Sequence, residues 1–153
     1  MEKSEAQESS PLQIDQVGIV VRDIDKAVEY YSSFGIGPFE SLSLNITERE
    51  VYGKPAEDVK NIVKVAQVGK VDLELVQPAA GKSIQKEFLE RHGEGINHLG
   101  FFVDDLDQEV AKLVEKGFKV IMSAKFIGGG GFAYLDTEKV GGVQFELIQW
   151  PPH

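Results

Sequence analysis

Three side chains, Glu74, His98 and Glu146, interrupt stretches that otherwise read as buried strands: VDLELVQ (71–77), GINHLGFFVDD (95–105) and VQFELIQ (143–149). A carboxylate on a core-facing strand costs several kcal/mol to desolvate unless a counter-charge or a metal ion offsets it. Taken alone, a strand histidine is more often a satisfied core residue, and a strand glutamate more often faces water. The chain, however, repeats itself. A shift of 82 residues lays IDQVGIVVRDIDKAVEYYSSFGI (14–36) on INHLGFFVDDLDQEVAKLVEKGF (96–118) without a gap, and a shift of 72 lays VDLELVQ on VQFELIQ. His98 then falls on Gln16, and Glu146 on Glu74. Four polar groups at two pairs of equivalent positions are hard to obtain by accident, and no Lys or Arg stands at a matching position to pair with them. A divalent cation would answer both charges and also use an imidazole and an amide oxygen. Gln16, Glu74, His98 and Glu146 are the candidate metal ligands.

One nitrogen and three oxygens do not select sharply among Co²⁺, Ni²⁺, Mn²⁺ and Zn²⁺. Such a site can leave positions open for two substrate oxygens. A carbonyl polarised there acidifies the adjacent C–H, which is Lewis-acid isomerase chemistry. The base must lie within hydrogen-bond reach of that proton. Glu146 is the first candidate for this catalytic role and Glu74 the second. Iron dioxygenase chemistry, which uses two histidines and a carboxylate, would need a second histidine here. Neither His92 nor His153 has support from the repeat.

The elements that must position these groups follow from pattern. Residues 14–21 and 96–103 are apolar, β-branched or aromatic, as in strands covered on both faces. Asp23 and Asp105 are placed to cap helices whose apolar stripes run Ile24, Ala27, Val28, Tyr31 and Leu106, Val110, Leu113, Val114. Gly35 and Gly117 sit where each helix ends in a left-handed residue. Three further strands are expected in each half, at about 39–46, 61–68 and 71–77, and at about 118–122, 131–135 and 142–149. SIQKEFLERH (83–92) reads as a linking helix. ITEREVYGKPAED (46–58) and KFIGGGG (125–131) read as mobile loops, and residues 1–12 as a disordered tail. The glycine run lacks the G-x-x-x-x-G-K-[ST] pattern of a phosphate loop, so a flexible hairpin or gate fits it better.

Composition narrows the partners. The 153 residues include 25 acidic and 16 basic side chains, for a net charge of −9, which argues against a nucleic-acid surface and for a small molecule. The chain has no cysteine, which excludes disulfides and thiolate ligands. No run reaches the length of a membrane span, and the first dozen residues lack the hydrophobic centre of a secretion signal, so a cytoplasmic protein without membrane contact is expected.

The stretches DQVGIVVRDIDKAVEYY, VDLELVQP, GEGINHLGFFVDDLD and GGVQFELIQ resemble the vicinal oxygen chelate superfamily, which includes glyoxalase I, methylmalonyl-CoA epimerase, extradiol dioxygenases and bleomycin-resistance proteins. The resemblance spans about residues 12–151, and the stretch 94–116 and the ending GGVQFELIQ look most like methylmalonyl-CoA epimerase. It implies an α+β fold in which two tandem βαβββ modules form a half-open, metal-centred β-barrel. Such a glyoxalase-like domain would cover 13–151, with module one at about 13–80 and module two at about 95–150. By position, the family's ligands carry over to Gln16, Glu74, His98 and Glu146. The activity implied is that of a divalent-metal-dependent isomerase or epimerase acting α to a carbonyl, with an acyl-CoA as the substrate type and a homodimer as the assembly.

Two departures qualify that resemblance. Epimerases usually have His at the place of Gln16, and the Gln-Glu-His-Glu set is instead similar to that of animal glyoxalase I, a lactoylglutathione lyase. Yet the arginine and asparagine that hold glutathione there have no clear counterpart; Pro78 stands where the asparagine would be expected. The strand before the fourth also supplies a second acid in the epimerases, whereas no acid lies between Asn61 and Gly69, where Lys64 and Gln67 are the polar residues. A non-catalytic binder of the resistance type is a third reading.

Overall fold

Residues 12–152 are described by the structure, a computed structural model, so the expected tail falls outside the described residues except for Leu12, as does His153. Ten strands and three helices follow in chain order: β1 (Gln16–Val20), α1 (Ile24–Phe34), β2 (Glu40–Ser41), β3 (Ile46–Val51), β4 (Lys54–Pro55), β5 (Lys60–Val68), β6 (Val71–Ala80), α2 (Ile84–His92), β7 (Gly95–Phe102), α3 (Leu106–Glu115), β8 (Val120–Phe126), β9 (Gly131–Leu135) and β10 (Gln144–Gln149). The strands form a single curled half-barrel sheet in the order β2-β5-β6-β1-β7-β10-β9-β8-β3-β4. The repeat is visible in the pairing. β1 and β7 meet antiparallel at the centre, while β1–β6 and β7–β10 are parallel, each bridged by a helix.

The local signals operate as expected at both helix starts. Asp23 accepts from the Lys26 N–H and Asp105 from the Gln108 N–H, each at 3.1 Å, contacts worth about 1 kcal/mol apiece. Gly35 ends α1 with φ 107, a left-handed conformation that a Cβ would strain. The glutamine shared by VDLELVQ and VQFELIQ has a structural role. Gln77 accepts from the Ile24 N–H at 2.9 Å and Gln149 from the Leu106 N–H at 2.8 Å, tying the last strand of each module to the start of its helix. Because Gln77 and Gln149 lie an odd number of positions from Glu74 and Glu146, they project from the opposite face.

Three apolar clusters hold these layers. Ile24, Ala27, Val28 and Tyr31 of α1 pack with Val21 and Leu75 on one outer face of the sheet. Leu106, Val110 and Leu113 of α3 pack with Leu135 and Leu147 on the equivalent face. Val114, assigned to the same stripe from sequence, is instead half exposed. The third cluster lies inside the curve of the sheet and joins Val59 and Ile84 to Met122, Phe126, Phe132, Tyr134 and Ile148. Ile84 and Gln85, at the start of α2, are both buried against this interior.

The two expected loops need correction. Residues 46–58 contain the hairpin β3–β4, turned at Tyr52 (φ 51) and Gly53 (φ 75), and the other edge of β3 pairs with β8 of the second module. Its alternation was obscured by a bulge between Ile46 and Glu48, which sets Ile46, Arg49 and Val51 half-buried while Glu48 and Glu50 are exposed. Within the first expected strand, 39–46, only Glu40–Ser41 of β2 and Ile46, where β3 begins, are strand, although the Leu42 N–H still donates to the Val63 carbonyl at 3.0 Å and Asn45 accepts from the Ile127 N–H at 2.8 Å. Residues 125–131 are mostly the end of β8, a tight turn and the start of β9. A Cβ on Gly130 would come within 2.2 Å of the Gln149 carbonyl oxygen, so close backbone approach accounts for that glycine. Among the described residues no helix is long and apolar enough to cross a membrane.

Candidate metal centre

The seam between the modules brings the four expected residues together. In the register, Gly18 lies beside Glu74 on β6 and opposite His98 on β7, while Gly100 lies beside Glu146 on β10 and opposite Gln16. His98 Nε2 is 2.9 Å from Gln16 Oε1, 3.2 Å from Glu146 Oε1 and 3.6 Å from Glu74 Oε1. All four residues are buried, His98 completely. The two repeated glycines make this convergence possible. A Cβ on Gly18 would lie 1.9 Å from His98 Cε1, and one on Gly100 would lie 2.9 Å from Gln16 Cβ. The space that each glycine vacates is filled by a polar side chain of the other module.

Desolvation sets the charge states. Burial pushes the Glu74 pKa up to about 8 and raises Glu146 as well, the nearby Glu74 charge adding to the effect on Glu146. Burial pulls His98 down to about 3, so its imidazole is neutral at physiological pH and cannot serve as the cation for either carboxylate. No Lys or Arg pairs with Glu74 or Glu146 among the described residues. Glu146 Oε1 and His98 Nδ1 are buried without a hydrogen-bond partner.

The residues present fit a divalent ion. Three oxygens gather around a neutral imidazole nitrogen at separations near the roughly 3 Å between neighbouring ligands whose bonds to an ion are about 2.1 Å. No cation of the protein offsets the two carboxylates when they ionise. The donors touch one another directly, and among the described residues no three His, Asp or Glu side chains already stand open as a cage.

Above these groups opens a cavity of about 570 Å³, lined by Gln16, Glu74 and Glu146 on its floor and by Met122, Phe126, Phe132, Ile148 and Trp150 on an apolar wall. Besides the exposed Ser41, Ser43 and Lys60, four buried or half-buried polar residues in it were not singled out from sequence as site residues. Tyr134, buried on β9, has its hydroxyl in hydrogen-bonding reach of Glu146 and Gln85, and its pKa is raised well above the ordinary phenol value by burial and by the charges of Glu146 and Glu74. Gln85 Oε1 accepts from Asn61 Nδ2 at 3.2 Å. Asn61, Gln85 and Tyr134 therefore form a polar chain that ends on Glu146. The fourth is Arg49, from the hairpin taken for a loop. None lies in a duplicated motif, which is the signal that revealed the other four. Of the polar residues considered on β5, Lys64 turns outward to Asp25 at 3.1 Å, and Gln67 does not line the cavity. His92 stacks on Phe88 at 4.6 Å, a packing contact remote from the centre.

Known proteins share this arrangement of the chain. An uncharacterized protein of Bacillus subtilis (strain 168), YqjC, is 28% identical over 138 residues, covering 89% of this chain and 91% of its own. Among solved structures, a Streptomyces coelicolor methylmalonyl-CoA epimerase variant in complex with 2-nitronate-propionyl-CoA superposes with a TM-score of 0.68 at 23% identity, covering 92% of this chain and 95% of that one. A second methylmalonyl-CoA epimerase gives a TM-score of 0.60 at 26% identity, covering 91% and 95%. Residues 15–135 match the family described as the Glyoxalase/Bleomycin resistance protein/Dioxygenase superfamily, and with its duplicated modules and curled half-barrel this chain belongs to that superfamily.

Proposed function

We propose that the protein is a divalent-metal-dependent isomerase acting α to a carbonyl, of the methylmalonyl-CoA epimerase kind. The observation that carries this reading is the convergence of two desolvated carboxylates, a neutral imidazole and an amide oxygen within 3.6 Å of one nitrogen at the floor of a cavity. Gln16, Glu74, His98 and Glu146 would hold the ion, one of Co²⁺, Ni²⁺, Mn²⁺ or Zn²⁺, and when bound it supplies Lewis acidity that makes a C–H beside a substrate carbonyl easier to ionise.

The chain's own groups supply the rest. Glu146 is the base when off the ion or loosely bound to it, because it lines the cavity with one oxygen free of protein hydrogen bonds and has the Tyr134 hydroxyl to fix its orientation. Glu74 lines the same cavity without such a partner, and its part is to hold the ion. The wall from Met122 to Trp150 keeps bulk water from the reacting carbon, which strengthens every electrostatic contact there.

Incubating metal-loaded protein with the (2S) methylmalonyl thioester in D₂O tests the proposal: α-deuterium enters and the centre racemises. Glu146→Gln slows that exchange by about 10²–10⁴-fold, whereas Glu74→Gln lowers metal affinity more than it lowers exchange at saturating metal. Absence of exchange in the loaded wild-type protein would discard the isomerase assignment. The Gln-Glu-His-Glu set favours a second reading, a lactoylglutathione lyase. Its direct assay is thioester formation from the hemithioacetal of methylglyoxal and glutathione.

A further inference from the structure

Two cationic side chains line the cavity without a part in the chemistry above: Lys60, which is exposed to solvent, and Arg49, which is half-buried. Arg49 lines the cavity from β3, yet none of the ion pairs among the described residues includes it. Its Nη1 donates to the Val59 carbonyl oxygen, and its Nε is buried without an acceptor. Burial draws its pKa below the ordinary guanidinium value, although an arginine remains charged in a protein. The acids beside it in sequence do not answer that charge. Glu48 and Glu50 are exposed, and Glu48 pairs with Lys125 at 3.4 Å.

A guanidinium that is half desolvated and left one donor short, in a chain with 25 acidic residues to draw on, is a fork without its anion. The bulge that breaks the alternation of β3 is what turns Arg49 rather than Glu48 or Glu50 inward. Asn61, which lines the same cavity, has its Oδ1 buried without a donor, a second unmet polar atom.

We propose that Arg49 is the anion subsite of this cavity and that the ligand is a carboxylate-bearing acyl compound, its acid on the guanidinium and its apolar part along Phe126, Phe132 and Trp150. The inference rests on the reading that the cavity is the substrate site and names the residue that selects for the substrate's acid group. Planar guanidinium donors match the two oxygens of a carboxylate, which a lysine in the same place would engage only as a point charge.

Trp150 is the chain's single tryptophan and lines the cavity, so its fluorescence reports occupancy. EDTA-treated protein is titrated with S-methylmalonyl-N-acetylcysteamine and with S-isobutyryl-N-acetylcysteamine, in which a methyl group replaces the carboxylate. Wild-type protein binds the acid at least about 10-fold more tightly. Arg49→Gln weakens the acid by about 10- to 100-fold and leaves the isobutyryl compound unchanged, as expected for loss of a charge-assisted contact. Arg49→Lys falls between the two and serves alone if Arg49→Gln does not fold by circular dichroism. Three results overturn the proposal: no preference for the acid in the wild type, an acid-to-neutral ratio untouched by either substitution, or equal weakening of both ligands, which marks a structural tether to Val59. Acid selectivity that depends on Arg49, in a protein that exchanges no α-deuterium when metal-loaded, keeps this subsite and discards the isomerase reading.

Discussion

The two halves of the centre are near copies at the seam and diverge one strand away. At the seam Gly18 adjoins Glu74 and Gly100 adjoins Glu146, and each glycine clears space for the polar side chain opposite. On the next strand outward, Val65 stands across from Glu74, but Tyr134 stands across from Glu146. The edges differ further, because the β3–β4 hairpin leaves module one and extends the sheet of module two, bringing Arg49 with it. Duplication placed the two carboxylates equivalently. Divergence of their neighbours gave one of them a hydroxyl to orient it and the other an apolar wall, so equal positions do not carry equal chemistry.

The sharpest test of that comparison is at the glycines. Gly18→Ala would drive a methyl group to within 1.9–2.5 Å of three His98 ring atoms, in a place where the ring is fully buried and cannot withdraw. A loss above about 3 kcal/mol in urea unfolding is expected, together with loss of metal binding. Gly100→Ala meets Gln16 Cβ at 2.9 Å and Oε1 at 3.0 Å, a milder overlap than at Gly18, and should cost about 1–2 kcal/mol. Equal losses at the two positions would show that the seam does not distinguish an imidazole from an amide.

Acidity gives the next effect. Glu74 in the folded, metal-free protein titrates near 8, above the ordinary 4.5, and Glu146 is raised too, so the folded state holds more protons than the unfolded one over that window. Stability therefore falls as pH rises from about 4.5 to 8. His98 acts in the other direction: its folded value near 3 lies below the ordinary 6.5, so the unfolded state takes the extra proton and stability falls as pH drops from 6.5 toward 3. With two carboxylates opposing one imidazole, the metal-free protein is expected to be most stable near pH 4.5. Added divalent metal should remove the decline toward pH 8, because it holds both carboxylates ionised. Urea midpoints across pH with and without Ni²⁺ measure this, and a metal-independent profile would count against the centre.

Tyr134→Phe is expected to have the smallest effect, about 1–2 kcal/mol of stability, because it strips one partner each from Glu146 and Gln85. It should also slow deuterium exchange several-fold without changing metal affinity, whereas Val65→Ala beside Glu74 should leave exchange untouched. Similar effects from both would erase the proposed difference between the two carboxylates.

Much of this was readable in advance, and for a definite reason. Gln16, Glu74, His98 and Glu146 lie in the duplicated strands, where two copies of one pattern made isolated polar residues stand out. Asp23, Asp105 and Gly35 were legible because capping is local. The β3–β4 hairpin was not, because a bulge interrupts its alternation and its partner strand belongs to the other module. Tyr134, Gln85 and Asn61 were missed because each occurs once and looks like an ordinary core or surface residue in its own segment. The glutamines of the repeated motif stood out equally well, and only their contacts with Ile24 and Leu106 separate them from the glutamates three positions away.

By itself, then, the sequence determined that the chain is a duplicated strand-and-helix module and which four polar residues occupy its equivalent positions, since periodicity and repetition are properties of the chain. The tertiary structure alone decided that these groups converge on one buried point, that a hairpin of the first module lends an arginine to the wall of the second, and that one carboxylate acquires a tyrosine while its twin does not. Those outcomes depend on register and sheet order between segments distant in sequence, and no local pattern encodes them.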